Sequence, residues 1–167
     1  MKFEFRNFSL GMLVTLLIGC LTFVIRTYCF KDILNRCPLM INELHNITLD
    51  NSIILSMDNT YYTIKKKDMK IILEIDKTDE NSYKKETFDC DEFGFILMAN
   101  IMKMGKRCNY KYRLAFGIIT GFNSKTSKRH LMNFFIDDTH TFWCIEPQRD
   151  TLILCNDTGL TLKRWAI

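Results

Sequence analysis

Between positions 90 and 105 the chain sets Phe93, Ile96, Leu97, Ile101 and Met104 at helical spacing, and Phe95, Met98 and Met102 make the remaining faces apolar as well. A helix that is hydrophobic nearly all round has to be enclosed by other elements. Asp89, Asp91 and Glu92 gather at its start, where the helix dipole favours acids, and Gly105, Lys106 and Arg107 mark its end. The residues that follow supply the enclosure. Stretches 112–120, 130–136, 141–146 and 151–155 have the alternating, β-branched and aromatic character of strands. Asp137-Asp138-Thr139 reads as a hairpin turn between the second and third of them. Upstream, residues 65–75 put Met69, Ile72 and Leu73 on one side of a short amphipathic helix. The pattern predicts an α+β fold in which one buried helix packs on an antiparallel sheet.

The first 25 residues read differently. From Phe8 to Ile25 there are 18 positions without a charge, bracketed by Lys2, Arg6, Arg26 and Lys31. A run of that length meets the requirement for spanning a hydrocarbon core about 30 Å thick. It predicts an N-terminal transmembrane helix, hence a single-pass anchor with the membrane as location and partner. A cleaved signal and a lipobox (Leu17-Ile18-Gly19-Cys20) are the alternatives. Basic residues balance across the run, so the side of the membrane stays open. The predicted order is a flank at 1–7, the anchor at 8–25, an irregular tether at 26–60 and a globular domain at 61–167. A net charge of +4 is too weak to imply a nucleic-acid partner. The oligomeric state is not readable.

Seven cysteines cannot all pair. Cys144 is expected as a buried thiol and Cys29 with Cys37 as an available pair near the membrane, while Cys90 draws attention for its position. It lies in the first turn of the long helix, where unpaired backbone N–H groups favour negative charge, and a thiolate is the effective nucleophile. His130 opens one strand and Glu146 closes the next. A three-residue hairpin loop would set these two directly opposite, with Cβ atoms about 4.5–5.5 Å apart; a loop of even length would put them on opposite faces. Nucleophile, base and orienting carboxylate are what covalent thiol chemistry requires. The candidate catalytic residues are therefore Cys90, His130 and Glu146.

These residues sit in strings that resemble a known family. Asp89-Cys90-Asp91-Glu92-Phe93-Gly94 is similar to the D-C-D-D-F-A motif of papain-like cysteine proteases of the Marasmius oreades agglutinin type. His130-Leu131-Met132-Asn133-Phe134-Phe135 echoes the family's H-A-x-N-x-F, and Glu146-Pro147-Gln148 matches its E-P-Q. The resemblance covers roughly residues 60–155 and extends to viral and phage relatives and to a clan with transglutaminase-like and NlpC-type peptidases. Departures are Glu92 for Asp, Gly94 for Ala, Arg129 for a small residue and Leu131 for Ala, the last two bearing on substrate access. The resemblance implies a papain-like core and a membrane-anchored cysteine peptidase or amidase with a Cys-His-Glu triad, cleaving an amide bond in a peptide or peptidoglycan-like substrate. The alternative is a catalytically inactive, membrane-anchored interaction or structural protein of viral origin that keeps the fold. No cofactor is called for, although the agglutinin uses calcium, for which Asp89, Asp91, Asp137 and Asp138 are the candidate ligands.

Overall fold

A computed structural model of the chain describes residues 14–19, 38–40, 53–55, 58–124 and 126–167. The chain divides into two compact units, Met1–Asn35 and Arg36–Ile167. In the first, residues 14–19 are helical, with Val14, Leu16, Leu17 and Ile18 exposed.

The second unit is mostly β-structure. Its elements in order are β1 Pro38–Met40, β2 Ile53–Leu55, β3 Thr60–Tyr62, α1 Lys66–Ile75, α2 Cys90–Arg107, β4 Arg113–Leu114, β5 Phe116–Asn123, β6 Lys128–Ile136, β7 Phe142–Glu146, β8 Thr151–Leu154 and β9 Leu160–Ala166. They form a three-stranded sheet, β1-β3-β4, and a six-stranded sheet, β2-β9-β5-β6-β7-β8. The second is antiparallel from β9 to β8, and β2 joins its end in parallel. Strand β6 explains why the core forms where it does: every residue from Leu131 to Ile136 is buried, so both of its faces are covered. Met132, Phe134 and Ile136 belong to a core shared with Tyr61, Ala115, Ile119, Cys144 and Leu160. Helix α2 packs on β6 and β5 and buries Phe93, Gly94, Leu97 and Ile101. Each fully buried aliphatic or aromatic side chain of this kind contributes about 1.5–3 kcal/mol.

These observations correct the expected fold class. No helix among the described residues is long and apolar enough to cross a membrane; of the predicted span 8–25 only 14–19 are described, and the rest lies outside the described residues. Nor is the unit a helix-centred papain-like core on an antiparallel sheet. Among the described residues of this unit nine strands stand against two α-helices, and both sheets contain a parallel pair, β2–β9 and β3–β4. Helix α2 is also less enclosed than its composition suggests, because Phe95 and Met102 are 52% and 43% exposed. The topology has a physical reason: parallel pairing needs long crossovers and joins distant segments, such as Leu55 with Ala166, which no local periodicity reports.

The cysteines differ from expectation too. Cys144 is not a thiol but forms a buried disulfide with Cys155, tying β7 to the 3-10 turn Cys155–Thr158. Cys90 and Cys108 are free. Cys20, Cys29 and Cys37 lie outside the described residues.

Candidate functional site

Cys90 is the first residue of α2, and the acids around it are occupied by the helix start. The backbone N–H of Asp89 donates to the Glu92 carboxylate at 2.8 Å, closing a capping box, and the Glu86 N–H donates to the Asp89 carboxylate at 3.3 Å. Asp91 is exposed beside them. Its side-chain hydrogen bond with Asp89 pushes the Asp91 carboxyl up and the Asp89 carboxyl down, as a proton shared between like charges does. The acids flanking the thiol are thus mostly consumed in capping and in each other.

His130 and Glu146 meet through a hairpin other than the three-residue one. Register runs Asn133↔Ile145 to Ile136↔Phe142, which leaves five residues, 137–141, in the loop. Slipping by two keeps the faces unchanged, so His130 and Glu146 become diagonal neighbours on one face instead of direct opposites. Long side chains close the gap, and His130 Nε2 lies 2.7 Å from Glu146 Oε2, with both side chains about one-fifth exposed (22% and 20%). Asp137 builds the longer loop. Its carboxylate accepts from the Thr139 and Thr141 N–H groups at 2.9 Å each, from the Thr139 hydroxyl at 2.6 Å and from Trp143 Nε1 at 2.7 Å. Burial alone would push its carboxyl up, but these donors hold it below the usual carboxylate range.

The third side chain joins them. Cys90 borders the same cleft as His130, whose Nε2 is committed to Glu146. The contact with Cys90 first, and the Glu146 carboxylate second, push His130 up to about 10 against the opposing effect of burial. Cys90, His130 and Glu146 therefore come together in space, around an imidazole whose protonated form is favoured. Cys90 and His130 line a cleft of about 910 Å³, with Tyr83, Phe95, Asn123 and Gln148 among its other walls.

Two residues that carry no role in the sequence reading prove to matter. Asn133, fully buried, donates to the carbonyls of Gly94 at 2.9 Å and Gly117 at 3.3 Å, pinning the first turns of α2 to the sheet that holds His130. Gln148 borders the cleft. Both stand inside the strings that carry the family resemblance, which is the signal that points to them. The departures at 94 and 131 resolve as one feature. A Cβ on Gly94 would fall inside Leu131 Cδ2, so the side-chain volume absent from the helix has moved to the strand. Arg129 lines the cleft and is exposed, so it borders the opening and does not fill it.

The four aspartates proposed for calcium do not make one site. Asp89, Cys90 and Asp91 have ligand atoms within 4.8 Å of one another, but Asp137 and Asp138 are not in that group. Asp137 spends its oxygens on the hairpin loop, and Asp138 pairs with Lys65 at 3.9 Å. In the remaining trio Asp89 is already engaged by the helix start, and a thiol is a poor ligand for a cation that prefers oxygen. The donor set does not fit calcium.

A capped helix start with its cysteine and a strand-borne imidazole held by a carboxylate border one cleft. The model of the agglutinin C-terminal family matches residues 61–152, more than half of the chain, and the chain belongs to that family. No curated protein matches the sequence. Among solved structures, the "PSL1a-E64 complex" superposes with a TM-score of 0.67 at 20% identity, covering 78% of this chain and 50% of that one. Polyporus squamosus lectin, bound to the epitope Neu5Acα2-6Galβ1-4GlcNAc, superposes with a TM-score of 0.63 at 22% identity, covering 76% and 49%. The chain thus spans about half the length of these structures, and at such identities the likeness concerns the fold.

The comparisons correct the expected function and setting. The family is an agglutinin family and a solved neighbour is a glycan-bound lectin, which overturns the membrane-anchored hydrolase of a peptide or peptidoglycan-like substrate. With no described helix able to cross a membrane, the anchored interaction protein, the membrane partner and the membrane location are overturned with it. Viral or phage relatives gain no support from these matches.

Proposed function

We propose that the cleft is a thiol-centred reactive site in which Cys90 is the nucleophile, His130 its proton partner and Glu146 the positioning residue. The observation that carries this reading is the 2.7 Å contact of His130 Nε2 with the Glu146 carboxylate, made by a histidine that lines one cleft together with Cys90. In the step this arrangement supports, the sulfur proton resides on the imidazole and Sγ forms a bond to an electrophilic carbon of a ligand in the cleft. The imidazolium then returns its proton to the ligand atom that takes up the displaced electron pair. Cys108 is an internal control, being the other free and half-buried cysteine among the described residues. Iodoacetamide labelling at neutral pH, read by peptide mass spectrometry, should modify Cys90 at least about tenfold faster, the kinetic equivalent of one charge-assisted hydrogen bond. Equal rates at the two cysteines would sink the reading.

A second reading, recognition of a carbohydrate, is favoured by the lectin neighbour and by the cleft lining. Aromatic rings (Tyr83, Phe95) beside hydrogen-bonding side chains (Thr120, Asn123, Thr126, Gln148) suit a polyhydroxylated ligand with apolar ring faces. Titration with Neu5Acα2-6Galβ1-4GlcNAc should give saturable binding that disappears once Cys90 is alkylated; no saturation, or binding indifferent to alkylation, removes the cleft as a glycan site.

A further inference from the structure

Helix α2 borders a second concavity at its other end. A cavity of about 480 Å³ lies between the last turns of the helix and β4, and it shares no lining residue with the Cys90 cleft. At about 1.5 Å of rise per residue, Met102 sits roughly 18 Å along the helix from Cys90. The volume falls within the range of small-molecule sites, about 300–1,000 Å³. Its lining is apolar at Met98, Ile101, Leu114 and Phe116, buried or half-buried, and at the exposed Met102, and cationic at the exposed Lys103, Lys106, Lys111 and Arg113. No Asp or Glu lines it. The stretch 103–113, KMGKRCNYKYR, holds five Lys and Arg and no acid, more than the net charge of +4 carried by the whole chain.

Not all of these cations have structural duties. Lys106 and Arg107 occupy the last turn of α2, where the dipole favours them, and Arg113 pairs with Asp58 at 3.1 Å. Lys103 and Lys111 form no ion pair among the described residues, and both are exposed at the cavity mouth. Tyr110 walls the cavity at Gly105, where a Cβ would come 3.1 Å from the ring. Met102, 43% exposed, presents a flexible, polarizable side chain to the opening. Lys111 also lies over the Tyr112 ring, 5.0 Å from its centroid, which leaves its charge without a carboxylate partner among the described residues. A simple basic patch would need no apolar lining, and a simple apolar pocket would not carry lysines without acidic partners.

We propose that this cavity binds an amphipathic organic anion, with an aliphatic body on the apolar lining and a carboxylate or phosphate head between Lys103 and Lys111. Isothermal titration of the full chain with laurate and with dodecyl phosphate, below their micelle concentrations, tests it against dodecyltrimethylammonium (the same body with a cationic head) and inorganic phosphate (a head without a body). One laurate or dodecyl phosphate per chain should bind, at least about tenfold more tightly than either comparison compound. The double variant Lys103→Glu/Lys111→Glu should weaken that binding by a similar factor with unchanged circular dichroism, both side chains being exposed. Met102→Trp should abolish it by obstructing the cavity at its opening. Equal affinity for the cationic amphiphile, binding of phosphate alone, or unaltered laurate affinity in the double-lysine variant would overturn the assignment.

Discussion

The two ends of α2 hold the same chemical group in different surroundings. Cys90 is the first residue of the helix and Cys108 follows its last; both are free and half-buried. At the N-terminal end the thiol stands among unpaired backbone N–H groups and shares a cleft with an imidazole anchored by Glu146. At the C-terminal end the dipole is negative and the neighbour is Tyr110, whose phenol burial, and then Cys108, push up, so that it stays a neutral hydroxyl. Similar burial is thus paired with different neighbours. What separates the two cysteines is whether a neighbour can carry the proton that a nucleophilic thiol has to give up. Each end also has a glycine against a facing side chain: Gly94 under Leu131 and Gly105 under Tyr110.

The most forceful way to break this comparison is to remove the imidazole. His130→Ala should lower Cys90 labelling about ten- to a hundredfold and leave Cys108 unchanged, the loss expected for one charge-assisted hydrogen bond of about 1.5–3 kcal/mol. A parallel fall at both cysteines would mean that the variant had loosened the fold. The glycines come next. Gly94→Ala should destabilise by about 1–3 kcal/mol through overpacking, and adding Leu131→Ala should recover part of that loss. Gly105→Ala should stay within about 1 kcal/mol of the parent, because helix propensity gains what a small shift of Tyr110 costs. Strict additivity of the 94/131 pair in denaturant melts would refute the idea that the two positions exchange volume.

Two pH effects are smaller. His130, raised from 6.5 to about 10, binds more protons folded than unfolded between those values. Its stabilisation is therefore complete below pH 6.5 and is lost as pH rises through about 10. His130→Gln should flatten that part of the profile of denaturant midpoint against pH. Asp150 is pushed up to about 7 by burial and by the charges of Asp79 and Asp76, so the folded state holds a proton that the unfolded chain has released. Stability should fall as pH rises from about 4 to about 7 on this account, and Asp150→Asn should remove that slope and be the more stable protein above it. An unchanged slope in the Asn variant would discard Asp150 as its source.

The chemistry-bearing positions were far more legible than the architecture around them. Cys90 at a helix start is a local fact, readable from the acids at 89–92 and the apolar run behind them. The shared face of His130 and Glu146 follows from the period of two along strands, and it survived a hairpin two residues longer than expected because only the parity of the loop matters. The length itself was not legible. It depends on Asp137 satisfying Thr139, Thr141 and Trp143 together, and Trp143 lies in the following strand. Asn133 was invisible for a similar reason, since its partners, the Gly94 and Gly117 carbonyls, belong to two other elements.

By itself the sequence determined the spans of α1 and α2, most of the strands from β5 to β8, and the order of thiol, imidazole and carboxylate along the chain. These are consequences of periodicity and capping, which act over a few residues. Tertiary structure alone decided the rest: β9 seated between β5 and β2, the parallel pairs, the Cys144–Cys155 bridge and the exposed side of α2. Leu55 beside Ala166, or Gly94 beneath Leu131, joins residues that no local pattern links, and their pairing is settled only when the whole chain competes for the same buried space.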